Sequence, residues 1–180
     1  MGLFKKKAPL EKIFADFDRA DCEDILETAK ALSGSDRRVA AAVDAALEDP
    51  KGYINRSAKR FEERGIALDG SLDADELMLF AMLNELETLE YVFEFSGKCE
   101  LEDFLWGLTQ IKTYDRIKDV VRTLELDENG DVEAWGKEIN KALDAEFYLC
   151  YIYIDDGSYP IAIVTPEEFE RVPLPFVMIM

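Results

Sequence analysis

Apolar residues recur at helical spacing through the first two-thirds of the chain, then give way to continuous runs of β-formers. Leu10, Ile13, Phe14 and Phe17 fall three and four apart, one apolar stripe, and Pro9 suits the first turn of the helix they predict. A second stripe follows at Cys22, Ile25, Leu26, Ala29 and Leu32, with Asp18 or Asp21 placed to cap it. Ser33-Gly34-Ser35-Asp36 breaks the pattern and offers a cap for an alanine-rich helix over 37–48, which Asp49-Pro50 ends. Residues 51–64 read as a further helix, closed by Gly65 in a left-handed cap. Asp73 opens a helix to about Leu89. Leu77, Phe80, Ala81, Asn84 and Thr88 share one face of it, and Leu79, Met82, Leu83 and Leu86 widen the apolar arc. Helices are also predicted over 100–111, over 114–124 and from an Asp131 cap through Leu143.

The β signal is confined to few places. Tyr91-Val92-Phe93-Glu94-Phe95 reads as a short aromatic strand. Residues 147–154 and 159–164 flank Asp155-Asp156-Gly157-Ser158 and predict a hairpin. Both runs are apolar throughout, so both faces of the hairpin should be covered. Thr165-Pro166 then starts a short helix with Glu167 and Glu168 in its first turn. The apolar tail 176–180 is expected either to pair as an edge strand or to pack on a partner. The expected fold is α+β, with a mainly helical N-terminal two-thirds followed by a C-terminal β-hairpin forming a small antiparallel sheet. Residues 1–8 are expected as a flexible basic tail and 9–180 as one domain.

Composition narrows the chemistry more than the fold. There is no histidine among the 180 residues, which removes Ser-His-Asp and Cys-His catalysis together with His-containing zinc sites. Cys22, Cys99 and Cys150 are three, far apart and without a CxxC pair. That is neither a disulfide framework nor a metal knuckle, and free thiols suit a reducing compartment. No stretch approaches the ~20 uncharged apolar residues that cross a bilayer. Lys5, Lys6 and Lys7 precede no long apolar segment of the kind a secretory signal needs. A cytoplasmic location is expected, without integral membrane association.

The net charge of −18 is unevenly spread. Residues 1–64 carry 13 basic and 13 acidic side chains, residues 65–110 carry 1 and 11, and residues 111–180 carry 7 and 15. All of the excess therefore lies beyond residue 64. Such a field repels phosphates, so no nucleic acid is expected as a partner. It speeds encounter with a basic protein. Asp73, Asp75, Glu76, Glu102 and Asp103 are the candidate partner-binding residues within this acidic stretch.

The hairpin turn is the candidate ligand site. Asp155, Asp156, Ser158 and Tyr159 bring two carboxylates, a hydroxyl and a phenol to a strand end, the donor set of an oxygen-liganded cation or a cationic group. Adjacent strand residues face opposite sides, which argues for turn chemistry instead. Asp127, Asn129, Asp131 and Glu138 match positions of a calcium loop, but Val132 stands where that loop needs glycine, so the stretch reads as a turn plus a helix cap. The groups Glu85/Glu87/Glu90 and Glu100/Glu102/Asp103 are candidate carboxylate pairs, with solvated helix faces as the simpler reading. Trp106 and Trp135 are expected to pack in or at the edge of the core. No catalytic residue, metal or cofactor is assigned.

The hairpin Ile152-Tyr153-Ile154-Asp155-Asp156-Gly157-Ser158-Tyr159-Pro160-Ile161-Ala162-Ile163-Val164 resembles the closing pattern of an uncharacterised bacterial family, domain of unknown function 6630. Tyr53 to Gly65, Tyr91 to Phe95 and Glu102-Asp103-Phe104-Leu105-Trp106 are similar to its middle block. The resemblance covers roughly residues 40–166. The chain departs from the pattern at Glu94-Phe95-Ser96, where Trp-Lys follows an acidic residue, and in a shorter turn. The resemblance implies a fold grouping and no known chemistry.

Together these readings lead to an expected function as a non-enzymatic intracellular protein-binding or regulatory module with an acidic face, an immunity-like role included. The alternative is a metal-dependent or small-ligand-binding enzyme centred on Asp155–Tyr159.

Overall fold

A computed structural model describes residues 10–154 and 157–180. The expected tail over 1–8 lies outside the described residues. Helix α1 (Leu10–Ile13) is a single turn. Phe14 and Phe17, expected on the same helix, lie beyond its end and meet edge-on at 5.5 Å. Asp18 then accepts from the Ala20 N–H and starts a 3-10 turn, Arg19–Cys22. Four helices follow: α2 (Glu23–Leu32), α3 (Arg37–Glu48), α4 (Pro50–Glu63) and α5 (Ala74–Thr88). Their starts obey local capping chemistry. Asp36 accepts from the Arg38 N–H and Asp49 from the Gly52 N–H, while Asp73 and Glu76 cap α5 reciprocally.

Beyond β1 (Val92–Ser96) come α6 (Leu101–Gln110), α7 (Lys118–Val121) and α8 (Val132–Ala142). The single helix expected over 114–124 is divided into a 3-10 turn, Tyr114–Arg116, and α7. Long-range bonds hold the break. The Thr113 hydroxyl donates to Ile163 O at 3.0 Å, and Arg116 pairs with Glu168. These contacts to a distant strand and helix outweigh a modest local helix propensity.

Strands β2 (Tyr148–Ile152) and β3 (Ser158–Val164) form the hairpin, and α9 (Pro166–Glu170) leads to β4 (Val177–Ile179). The sheet order is β1-β3-β2-β4, every neighbour antiparallel. The apolar tail is thus an edge strand on β2, and Met180 N–H continues the pairing to Leu149 O.

Alternation along the strands divides the core in two. Cys150, Ile152, Ala162 and Val164 pack beneath α2 to α5, with Phe61, Leu77 and Met82. Leu149, Ile161 and Ile163 face the other way, onto α6, α7 and α8, with Phe104, Leu108 and Trp135. Helices therefore cover both faces of the hairpin, as its unbroken apolar runs require. Helix α6 rides directly on β1. A Cβ on Gly107 would lie 2.3 Å from Phe95 Cε1, so only glycine permits this approach. Trp135 is 1% exposed, whereas Trp106 is 58% exposed. Trp106 falls off the Phe104–Leu108 stripe and touches only the rim, edge-on to Phe93 at 5.7 Å.

Candidate functional site

Among the described residues, two of the clefts that bring charged side chains together lie on opposite sides of the sheet. The first lies at the start of α6. Residues 99–105 and the loop 128–130 enclose about 590 Å³ around Leu101, Leu105 and Trp135. Glu100, Glu102 and Glu128 stand exposed around this apolar floor. The loop wall is fixed by Trp135, whose indole N–H donates to Asp127 O at 2.7 Å. Gly130 presses on the same ring, and a Cβ there would lie 2.5 Å from the indole nitrogen. Among the described residues, none of Glu100, Glu102, Asp103 and Glu128 has an ion-pair partner. Their charges therefore face water, over an apolar patch that water does not favour.

The second cleft, about 410 Å³, lies between α4, α5 and β1. Gly65 (φ +74°) closes α4 with Ile66 N–H bonded back to Phe61 O, and the preceding residue, Arg64, sits at the helix cap. Arg64 is fully engaged. Its Nε donates to Asn84 Oδ1 at 3.1 Å, Nη2 pairs with Glu87 and Nη1 pairs with Glu94. Burial, aided by the neighbouring Glu94, pushes the Glu87 carboxyl above its usual value in spite of the guanidinium. Tyr53 donates its hydroxyl to Glu85 at 2.7 Å beside this cleft, and burial and that carboxylate both raise the phenol.

The residues singled out in the sequence do not converge on one place. Asp73 and Glu76 are occupied by the capping box, and Asp75 receives the Cys22 thiol at 3.5 Å. Asp75 and Glu76 also rim a smaller apolar groove with Ile25, Leu79 and Phe176. These three acids belong to the α5 side of the sheet. Glu102 and Asp103 belong to the α6 side, where Glu102 lines the larger cleft. Asp155 and Asp156 lie outside the described residues. Ser158 and Tyr159 fall on opposite faces of β3, with Tyr159 against the Tyr151 ring at 5.4 Å. Asp127 accepts from the Asn129 N–H and Asp131 from the Ala134 N–H, so this stretch is a turn and a cap. Among the described residues no three His, Cys, Asp or Glu side chains are grouped as metal ligands are. Burial pushes the Cys22 and Cys150 thiols up to about 12 and raises Cys99 as well, the reverse of what a nucleophilic thiol needs.

The cluster of Arg64, Asn84, Glu87 and Glu94 is drawn from three elements; Glu87 belongs to the carboxylate group Glu85/Glu87/Glu90 of α5, and Glu94 to the departure from the family pattern at Glu94-Phe95-Ser96. Asn84 was the one available local signal, an amide set inside the otherwise apolar arc of α5.

One further ion pair ties the layers together. Glu168 is 7% exposed and takes both Arg116 nitrogens at 2.7 and 3.2 Å, while capping α9 through the Thr165 N–H at 2.7 Å. Burial alone would raise this carboxyl; Arg116 and the Thr165 N–H more than offset it and hold the carboxyl below its usual value. A depressed carboxyl contributes stability above its unfolded value and loses it as pH falls through the folded one. Glu168→Gln is therefore expected to destabilise by about 1.5–3 kcal/mol at pH 7, the range for bonds to charged groups. In urea melts of both proteins the difference should shrink steadily toward acid pH. A difference that does not vary with pH would exclude this role.

A family model described as domain of unknown function (DUF6630) matches residues 24–173. No curated protein and no solved structure matches the chain.

Proposed function

The chain belongs to the DUF6630 family, a family without assigned chemistry, and we propose that it is a non-enzymatic binding module that docks a basic protein segment in the α6 cleft. The observation that carries this reading is the cleft itself, where half-buried Leu101 and Leu105, beside the buried Trp135, are rimmed by Glu100, Glu102 and Glu128. Apolar floor and charged rim are the two halves of a docking surface: burial of the floor supplies affinity, and the rim selects the sign of the partner. A partner presenting Arg or Lys flanked by aliphatic side chains complements both. The raised thiols and the absence of histidine support a binding role over catalysis. The setting proposed is the bacterial cytoplasm, where three free thiols remain reduced. An immunity-like role, neutralising a basic partner, belongs to this class.

The test is capture from lysate with tagged wild-type protein beside a variant carrying Glu100→Gln, Glu102→Gln and Glu128→Gln. All three side chains are exposed, so the variant should keep its stability within about 0.5 kcal/mol per site. The expected result is a basic protein retained by wild type, released between ~0.1 and ~0.5 M salt, and absent from the variant. Equal retention by both proteins would refute docking at this cleft.

A further inference from the structure

Across the sheet from the α6 cleft, a smaller groove opens where the first turns of α2 and α5 meet the chain just before β4. It holds about 230 Å³, less than the ~300–1,000 Å³ of small-molecule pockets, and suits one or two large side chains. Its lining is mainly apolar. Cys22 and Ile25 are buried there, and Leu79, Leu174 and Phe176 are half-buried. Four carboxylates rim it, Asp21 and Asp24 at the start of α2 and Asp75 and Glu76 on α5, and no lining residue is basic. All four are exposed, and among the described residues none has an ion-pair partner. Glu76 spends one oxygen on the Asp73 N–H, and Asp75 receives only the Cys22 thiol, at 3.5 Å. That thiol registers the uncompensated field. Burial pushes it up to about 12, and Asp75, Asp21 and Asp73 add to the rise.

The occupant that answers such a groove is apolar at one end and cationic at the other. The chain itself carries one, Leu3-Phe4-Lys5-Lys6-Lys7, which lies outside the described residues. Two large apolar side chains there precede three ammonium groups. Residues 1–9 span at most about 30 Å when extended. They also enter the fold on the correct side. Leu10 and Ile13 pack against the same core cluster as Cys22, Ile25, Leu79 and Phe176, whereas Leu101 and Leu105 of the α6 cleft belong to the cluster across the sheet. A tether this short holds its end at an effective concentration on the order of millimolar, so a weak contact is enough to keep it in place.

We propose that residues 3–7 dock in this groove in cis, with Phe4 on Leu79, Leu174 and Phe176 and with Lys5, Lys6 and Lys7 along Asp21, Asp24 and Asp75. The segment then neutralises the acidic rim on the α5 side and closes it to basic partners. The α6 cleft is left as the open acidic surface. The two sites share no lining residue, so either one fails without the other.

The experiment is NMR on the isotope-labelled full chain beside three variants. One carries Phe4→Ser, a second Lys5→Gln, Lys6→Gln and Lys7→Gln, and a third Asp21→Asn, Asp24→Asn and Asp75→Asn. The first two change no residue of the described fold, so they decide the matter even if the third is unstable. The expected result is a set of nuclear Overhauser contacts from the Phe4 ring to the methyl groups of Leu79 and Leu174. Phe4→Ser should move amide signals at 21–25, 75–79 and 174–176 and leave 99–106 unchanged. In the lysine and aspartate variants, and in wild type taken from ~0.05 to ~0.5 M salt, the Phe4 contacts should weaken at least about threefold. They should not vary with protein concentration. The proposal is overturned if Phe4 makes no contact with the groove, if its substitution moves 99–106 instead, or if the contacts grow with concentration, which would place the segment on a second copy.

Discussion

Arg64→Ala is expected to cost about 3–5 kcal/mol of stability, the range for removing one partner of a buried charge network. The side chain of Arg64 is only 11% exposed, and its loss strands Glu87, Glu94 and the Asn84 oxygen together. For a chain of this size the melting temperature should fall by about 6–20 °C. Removing the stranded charges as well tests the cause. Arg64→Met combined with Glu87→Gln and Glu94→Gln should recover most of the loss, because desolvation of unpaired carboxylates is what destabilises the single variant. The pH dependence has a definite sign. Glu87 already sits above its usual value through burial, and losing the guanidinium raises it further. A raised carboxyl favours folding at low pH and withdraws that contribution as pH rises through the folded value. The penalty for Arg64→Ala should therefore be larger at pH 8 than at pH 5. A loss under about 1 kcal/mol, the level of an exposed pair, would show that the network is not the buried knot described.

Trp135→Ala is expected to cost a similar amount, about 3–5 kcal/mol. The ring is 1% exposed and lies against Phe104 at 5.2 Å. It also anchors the loop 127–131 through its bond to Asp127 O and its contact with Gly130. Two consequences separate here. Trp135→Phe keeps much of the ring volume and loses the indole bond, so it should cost only about 1–2 kcal/mol. Amide exchange in residues 127–131 should nevertheless accelerate in both variants, because the tether is gone. The Glu128 wall of the acidic cleft would then be released, and partner binding should weaken even in the folded Phe variant. Unfolding curves and hydrogen exchange on the three proteins measure both effects.

What the sequence makes legible here is what short-range chemistry decides. Asp36, Asp73, Asp131 and Thr165 announce helix starts because a cap needs only residues two or three positions away. Gly65 announces the end of α4 for the same reason. The hairpin and its covered faces follow from two adjacent β-runs without polar alternation. The break at Ile117 escapes such reading, since Ile163 and Glu168 enforce it from about fifty residues away. Strand order is equally non-local. Nothing near Val92–Ser96 says that β1 pairs with β3 rather than β2. The acidic stretch is legible as charge but not as a surface. Folding sends Asp75 and Glu76 to one side of the sheet and Glu102 and Glu128 to the other, joined by loop residues absent from any shared periodicity.

Docking of a basic segment in the α6 cleft is tested most directly by a residue-resolved NMR titration with a short peptide of alternating arginine and leucine. The account predicts that amide shifts gather at 99–106 and 127–135. Affinity should fall at least about tenfold between ~0.05 and ~0.3 M salt. The shifts should vanish in the protein carrying Glu100→Gln, Glu102→Gln and Glu128→Gln. Shifts spread evenly over the acidic surface, or unchanged in that variant, would contradict it.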